Sequence, residues 1–227
     1  METEDRGEQK LLADGEVREQ VRQVIREERS AETAESTEAR VAAPMADPGP
    51  AALGAFGITL GLLSIVNAGF VDAASTGAFI PLGFFAGGFV ILLAGLISFR
   101  SNEIFTANVF TAYGIFWIAI AFFFMFQQQI GVTDEALGPA VGLTLFMWTI
   151  LTVYVCIASL KTNWTIFITF LVLVGVFATL SAGFWTGNAG LIQLGGYLGI
   201  LDAALAFYLS AASLINPMFG RDVLPVK

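Results

Sequence analysis

The chain has 227 residues, of which 56% are hydrophobic and only 13% are charged, and its net charge is -8. One soluble core of ordinary composition cannot bury that much apolar surface, so lipid is the expected solvent and a water-soluble globular protein is excluded. Cys156 is the single cysteine and histidine is absent, which excludes an internal disulfide, catalysis through histidine and the usual zinc, haem and thiolate-cluster sites, so no cofactor or metal is predicted.

Most of the acidity lies in the first 47 residues, which contain thirteen acidic and seven basic side chains. Residues 1–46 are predicted to form a cytoplasmic acidic tail that is either partly disordered or folded as an amphipathic helix. The helical alternative is supported by apolar residues that recur at helical spacing beside a row of arginines. Such a face would bind the headgroups of a membrane surface or a partner protein. Nucleic-acid binding is disfavoured, because it needs a clustered basic face. The two stripes are Val17, Val21, Val24 and Ile25, and Arg18, Arg22, Arg26 and Arg29.

Six long apolar runs follow, each close to the roughly 20 residues with which a helix crosses a bilayer. We see no signal peptide and expect the first run to direct insertion. Backbone groups in lipid must bond within their own segment, so these runs are helices. The sequence therefore predicts an all-α membrane protein whose six spans, within residues 47–218, form a pore-containing bundle of three helix hairpins, followed by a short cytoplasmic tail at 219–227. The predicted spans are Ala51–Phe70, Gly77–Phe99, Ile104–Phe126, Pro139–Leu160, Thr165–Trp185 and Ala189–Ile215.

The basic residues predict the orientation in the cell membrane. Arg100 lies between the second and third spans, Lys161 between the fourth and fifth, and Arg221 and Lys227 after the sixth. The connections after the first, third and fifth spans carry neither lysine nor arginine. Because basic residues near span ends stay on the cytoplasmic side, both termini are expected to be cytoplasmic.

The span interiors contain no Lys, Arg or His. A bare carboxylate entering such a bundle would lose its hydration and meet no fixed cation. This favours a small neutralised solute, or an anion that moves together with its proton.

Asp202 is an acid in the sixth run, between GGYLGIL and AALAFYL. An acid at this depth usually faces a bundle interior or water. Two interpretations stay open: a proton-titrating group coupled to substrate movement, or a protonated or hydrogen-bonded acid that stabilises packing or a protomer interface.

Five separated segments match one known family in the right order. In the first segment, Asp47–Phe56, four residues match the family's pattern: Pro48, Pro50, Leu53 and Phe56. Asp47, Ala51, Ala52 and Ala55 depart from it. On these segments the chain after Asp47 resembles the acetate uptake transporter family, the GPR1/FUN34/YaaH group, whose first motif is Asn-Pro-Ala-Pro-Leu-Gly-Leu followed by Gly-Phe. The segments are Asp47–Phe56, Asn67–Phe70, Phe105–Trp117, Gly187–Ala189 and Phe219–Pro225.

The resemblance implies a transporter for acetate or short-chain monocarboxylates, with succinate as a further candidate, that moves acid and proton together or behaves as a channel. It also implies a homo-oligomer, specifically a hexamer, with a pore in each protomer. The family's mid-membrane constriction consists of an aromatic residue, a tyrosine and a leucine, which match Phe56, Tyr113 and Leu173. An apolar ring with one phenol would exclude hydrated ions by dewetting.

Polar residues near the predicted pathway are candidate substrate contacts, although each could instead tie helices together. They are Asn67, Asn108, Thr111, Asn188 and Gln193. Asn67 and Asn188 fall in the matching motifs. Two departures from the family also matter. Its members carry a small uncharged residue at the position of Asp202, and only the aromatic position and Phe105 survive from the family's pattern in the connection before the third span.

Two other functions remain open. The protein could be a membrane sensor or adaptor that signals through its tail, in which case deletion of residues 1–46 would remove the function. It could also be a channel for other small neutral solutes such as ammonia or urea, which competition by acetate would test. An enzyme is disfavoured, because the sequence contains no nucleotide-binding loop or metal-ligand cluster.

Overall fold

The computed structural model describes residues 19–34 and 46–226. The chain divides into two compact units, Met1–Ala46 and Asp47–Lys227. In the first unit, residues 19–34 form a helix on which Val21, Val24 and Ile25 are exposed. The remainder of the predicted tail, including Val17 and Arg18, lies outside the described residues, so the choice between a disordered and a helical tail stays a prediction there.

The second unit contains six helices that are long and apolar enough to cross a membrane. This confirms the predicted fold class, an all-α membrane protein with six spans. The helices are α1 (Gly49–Asn67), α2 (Ala73–Arg100), α3 (Ile104–Phe126), α4 (Asp134–Ser159), α5 (Trp164–Thr186) and α6 (Ala189–Phe219).

The helix ends follow local capping rather than hydropathy alone. Helix α1 stops at Asn67, and Gly69 then adopts a left-handed φ of 79° that favours glycine. Helix α4 starts five residues before Pro139, because the Thr133 hydroxyl accepts the N–H of Ala136 and the first turn carries acids that suit the helix dipole. Apolar periodicity places these ends a few residues away.

Helix α2 changes its winding along its length. A 3₁₀ stretch at Ala73–Ala78 and a short α segment with Pro81 lead into a π-helical stretch at Gly83–Val90. Within that stretch Gly87 lies against α1 and α3, where an added Cβ would sit 2.7 Å from Thr59 Cγ2 and 2.8 Å from Trp117 Cγ. The absence of a side chain at Gly87 therefore lets the indole of Trp117 lie directly on the backbone of α2.

The six helices pack as neighbours around the bundle. Helix α1 packs on α6 and α2, α2 on α3, α4 on α5, and α5 on α6. Helices α3 and α4 meet through side chains, such as Tyr113 and Thr152. The α1–α6 contact is close because Gly196 lies against the backbone of Ala68 and Gly199 against Ser64, as expected of small residues between membrane helices.

Candidate functional site

Two cavities follow one another along the bundle. The larger has a volume of about 250 Å³ and reaches the end of the bundle where α1 begins, at Asp47 and Glu103. The smaller has a volume of about 40 Å³ and continues toward the opposite end, at Asn67. Phe56 and Leu173 line both cavities. The two cavities therefore meet at these two side chains.

The junction is a cluster of aromatic rings that are buried or, for Phe56, half-buried. The ring of Phe56 lies edge-on to Tyr113 at a centroid distance of 6.2 Å and to Trp117 at 6.1 Å, while Tyr113 stacks on Phe177 at 6.3 Å. Tyr113 and Leu173 are each only 2% exposed. The structure thus brings Phe56, Tyr113 and Leu173, from α1, α3 and α5, to the same level. We refer to these three residues as the constriction.

The phenol proton of Tyr113 is used in a hydrogen bond within the protein. Its Oη lies 2.8 Å from Thr152 Oγ1, and the Thr152 hydroxyl donates to the carbonyl oxygen of Trp148 at 2.7 Å. A threonine hydroxyl has one proton, so Tyr113 must be the donor in its bond with Thr152. The constriction therefore offers the phenol oxygen as an acceptor only.

Trp117 lies next to the constriction and lines the smaller cavity. Its Nε1–H is buried and has no hydrogen-bond partner among residues 19–34 and 46–226. An unpaired buried donor costs about 1–3 kcal/mol, so this group needs an explanation. Neither Trp117 nor Thr152 was predicted from the sequence. Trp117 stands one helical turn after Tyr113 in a matching motif, which could have indicated it, whereas the contact of Thr152 depends on the register of α3 against α4.

The predicted polar contacts occupy different environments. Of the five, only Asn67 lines one of the two cavities. Asn188 caps α6 by accepting the N–H groups of Gly190 and Leu191. The remaining three are held within or between helices, and their role as substrate contacts stays a prediction. Asn108 Nδ2 donates to Ile104 O, Gln193 Nε2 donates to Ala68 O, and Thr111 Oγ1 is buried against Gly95 without a hydrogen-bond partner in the described residues.

Asp202 faces the interior of the bundle. It is fully buried, and neither carboxyl oxygen has a hydrogen-bond partner within the described residues. Helix α6 packs on α1 and α5, which carry no ionisable side chain, and Asp202 is close enough to Tyr113 of α3 for the two side chains to interact electrostatically. Because the side chain is fully buried within one chain, it does not reach the outer surface where a second protomer would pack.

Six helices that are long and apolar enough to cross a membrane, around two cavities that meet at Phe56 and Leu173, define an α-helical membrane protein with a candidate solute pathway. The family model for the GPR1/FUN34/yaaH family matches residues 31–221, and the chain belongs to this family.

Similar proteins and a similar structure support this assignment. The chain is 32% identical over 182 residues to the succinate-acetate/proton symporter SatP of Escherichia coli strain K12, covering 80% of this chain and 95% of that protein. It is 30% identical over 175 residues to ammonia transport outward protein 3 of Saccharomyces cerevisiae, covering 76% of this chain and 64% of that protein. A solved structure of the bacterial acetate channel SatP superposes with a TM-score of 0.75 at 32% identity and covers 81% of this chain and all of that one.

Proposed function

We propose that the protein moves acetate and related small carboxylates across the cell membrane without altering them chemically, in a proton-linked or channel-like manner, with succinate as a further candidate substrate. The observation that carries the proposal is that Phe56 and Leu173 line both cavities, so a solute that crosses the bundle passes the constriction. The names of the similar proteins, a succinate-acetate/proton symporter and an acetate channel, support the choice of solute.

The chemistry of the pathway suits a small acid. Aromatic and aliphatic side chains of the constriction exclude hydrated ions, because they cannot replace the water that an ion loses. Among the described residues, no lysine or arginine lines either cavity, so a carboxylate finds no fixed cation to offset its desolvation. A small uncharged molecule with a methyl end and one polar end can pass such a pathway, because it sheds little hydration and needs no fixed cation.

Purified protein in liposomes should take up labelled acetate faster than protein-free liposomes, which report the acid that leaks through lipid. A pH-sensitive dye trapped inside should report acidification together with uptake if protons accompany acetate. Uptake no faster than in protein-free liposomes would contradict the proposed function. Uptake without acidification would identify a channel for the anion.

Ammonia is the second candidate solute, because the similar yeast protein is named for ammonia transport. The same liposomes distinguish the two solutes, since entry of ammonia makes the interior more alkaline and entry of acetic acid makes it more acidic. An alkaline response that acetate does not inhibit would favour ammonia.

The larger cavity is proposed to open toward the cytoplasm, and both termini are proposed to lie there. Arg100, the last residue of α2, and Lys161, in the connection after α4, lie at the same end of the bundle as Asp47 and Glu103, and basic residues mark the cytoplasmic side. A homo-oligomer, specifically a hexamer with one pore in each protomer, is proposed on the family resemblance. Labelling of cysteines introduced at each end of the bundle tests the orientation. Light scattering of the purified protein tests the oligomeric state.

Asp202 is proposed as a proton-titrating group coupled to solute movement, which supplies the proton with which the solute crosses as the neutral acid. A buried carboxylate without a partner is unfavourable, so the protonated side chain is the form expected at rest. The electrostatic interaction of Asp202 with Tyr113 supports the proposal, and its side chain lines neither cavity.

The isosteric change Asp202→Asn is expected to greatly reduce acetate uptake together with the acidification that accompanies it, because an amide does not ionise and therefore cannot supply a proton to the solute. Asp202→Glu should restore part of the uptake. The measurement is the initial rate of acetate uptake and of dye acidification in the same liposomes. Unchanged rates in Asp202→Asn would assign the acid to helix packing.

A further inference from the structure

The small cavity beyond the constriction has a hydrogen-bond donor that lacks an acceptor. Trp117 is 2% exposed, and its Nε1–H has no partner within the described part of the chain. An indole nitrogen only donates, so among the described residues this group stays unsatisfied unless a bound molecule supplies an acceptor. The ring of Trp117 lies 6.1 Å from that of Phe56 and lines the cavity that a solute would enter on passing Phe56.

The other polar groups near the constriction do not supply an unpaired hydrogen-bond donor there. The phenol proton of Tyr113 is engaged with Thr152, as its hydrogen bonds require. Asp202 lines neither cavity. Asn67 lines the small cavity from the last residue of α1, three helical turns beyond Phe56. The Thr111 hydroxyl is also buried without a partner in the described residues, but it lines neither cavity. Trp117 is therefore the unpaired donor that both lines a cavity and contacts the constriction.

The position of Trp117 is fixed by its surroundings. Its ring packs on Phe116 and Phe79 at centroid distances of 4.9 Å and 5.6 Å. On another side it lies on Gly87 in the π-helical stretch of α2, where an added Cβ would be 2.8 Å from its Cγ. Because π-helical stretches recur at functional sites, this irregularity supports a ring held in place for a purpose beyond filling space.

We infer that the Nε1–H of Trp117 donates a hydrogen bond to the carbonyl oxygen of the permeating acid, which crosses in its neutral form. A single neutral donor can satisfy a carbonyl oxygen. A carboxylate needs several donors or a cation to replace its hydration, and none of the residues that line the described cavities is cationic. The inference rests on the proposed function, because it assumes that small carboxylic acids use this pathway.

The test compares two tryptophan-to-phenylalanine variants in the liposome uptake assay. Trp117→Phe keeps an aromatic ring and removes the donor. Trp148→Phe is the matched control, because its ring also packs on Phe116 and Tyr113, at 5.0 Å and 5.9 Å, yet it lines neither cavity. Loss of one hydrogen bond should reduce acetate uptake by Trp117→Phe about two- to tenfold, with Trp148→Phe close to wild type. If the wild-type protein transports acetate and the two variants do so at equal rates, the inference is overturned. A wild type without transport would instead contradict the proposed function.

Acetamide provides a second measurement, in which binding is observed on the wild-type protein. It has the size and carbonyl group of acetic acid and carries no charge near neutral pH. Acetamide should therefore inhibit acetate uptake by the wild-type protein. In NMR spectra of wild-type protein with isotopically labelled indole nitrogens, the N–H resonance of Trp117 should shift as acetamide is added, and its absence from the spectrum of Trp117→Phe assigns it. Failure to inhibit, or a shift of other indole resonances alone, would contradict binding of a neutral carbonyl at Trp117.

Discussion

Replacing Leu173 with tryptophan is expected to lower acetate uptake to the level of protein-free liposomes. Leu173 is 2% exposed and lines both cavities, so an added indole must enter the junction between them. The smaller cavity, at about 40 Å³, leaves little room to accept it. Initial rates of labelled acetate uptake at equal amounts of reconstituted protein measure the effect.

The matched control for this prediction is Leu171→Trp on the same helix. Leu171 is 53% exposed and lines neither cavity, so the same added bulk should face lipid and leave uptake near the wild-type rate. Similar inhibition by both variants would show that bulk anywhere on α5 disturbs the bundle. Undiminished uptake by Leu173→Trp would place the solute pathway elsewhere.

Replacing Gly196 with alanine is expected to destabilise the protein at the α1–α6 contact. An added Cβ would lie 2.7 Å from Cα of Ala68, and backbone cannot move aside as a side chain can. Overpacking of this kind costs about 1–3 kcal/mol, and each kcal/mol lowers the melting temperature of a protein of this size by about 2–4 °C. Thermal unfolding in detergent, followed by tryptophan fluorescence and size-exclusion chromatography, measures the change.

Gly61→Ala is the control at the same interface. Its added Cβ would lie 3.4 Å from Cβ of Ala203, which is ordinary van der Waals contact, so its melting temperature should stay near that of the wild type. If the two variants melted together, the close approach of α1 and α6 would not limit stability. Both substitutions replace glycine with alanine within a helix, so their difference isolates the contact.

The helices were predictable because lipid makes the apolar runs long and unambiguous. Their ends were less so, since the start of α4 depends on the Thr133 cap rather than on hydropathy, and the π-helical stretch of α2 depends on tertiary contacts of Gly87 with Thr59 and Trp117. No local sequence pattern indicates those tertiary contacts of Gly87.

The constriction was predictable only in part. Phe56 and Tyr113 were indicated by their motifs and Leu173 by counting along the chain, and the structure places all three together. The Tyr113–Thr152 bond was not predictable, because it depends on how α3 and α4 align. The unpaired nitrogen of Trp117 likewise becomes visible only when the neighbours of every donor are known.

The two acids that line the larger cavity, Asp47 and Glu103, are both exposed. Among the described residues, they are the charged residues that line this cavity, so the potential within its mouth is negative, while Arg100 and Lys161 at the same end of the bundle offset it farther out, and it extends over about 10 Å at most at 0.1 M salt. Such a potential lowers the local concentration of acetate anion, while the concentration of uncharged acetic acid stays equal to that in bulk. The entrance therefore enriches the neutral species relative to the anion before any binding occurs. Dianionic succinate is depleted more strongly than acetate, and added salt weakens this discrimination.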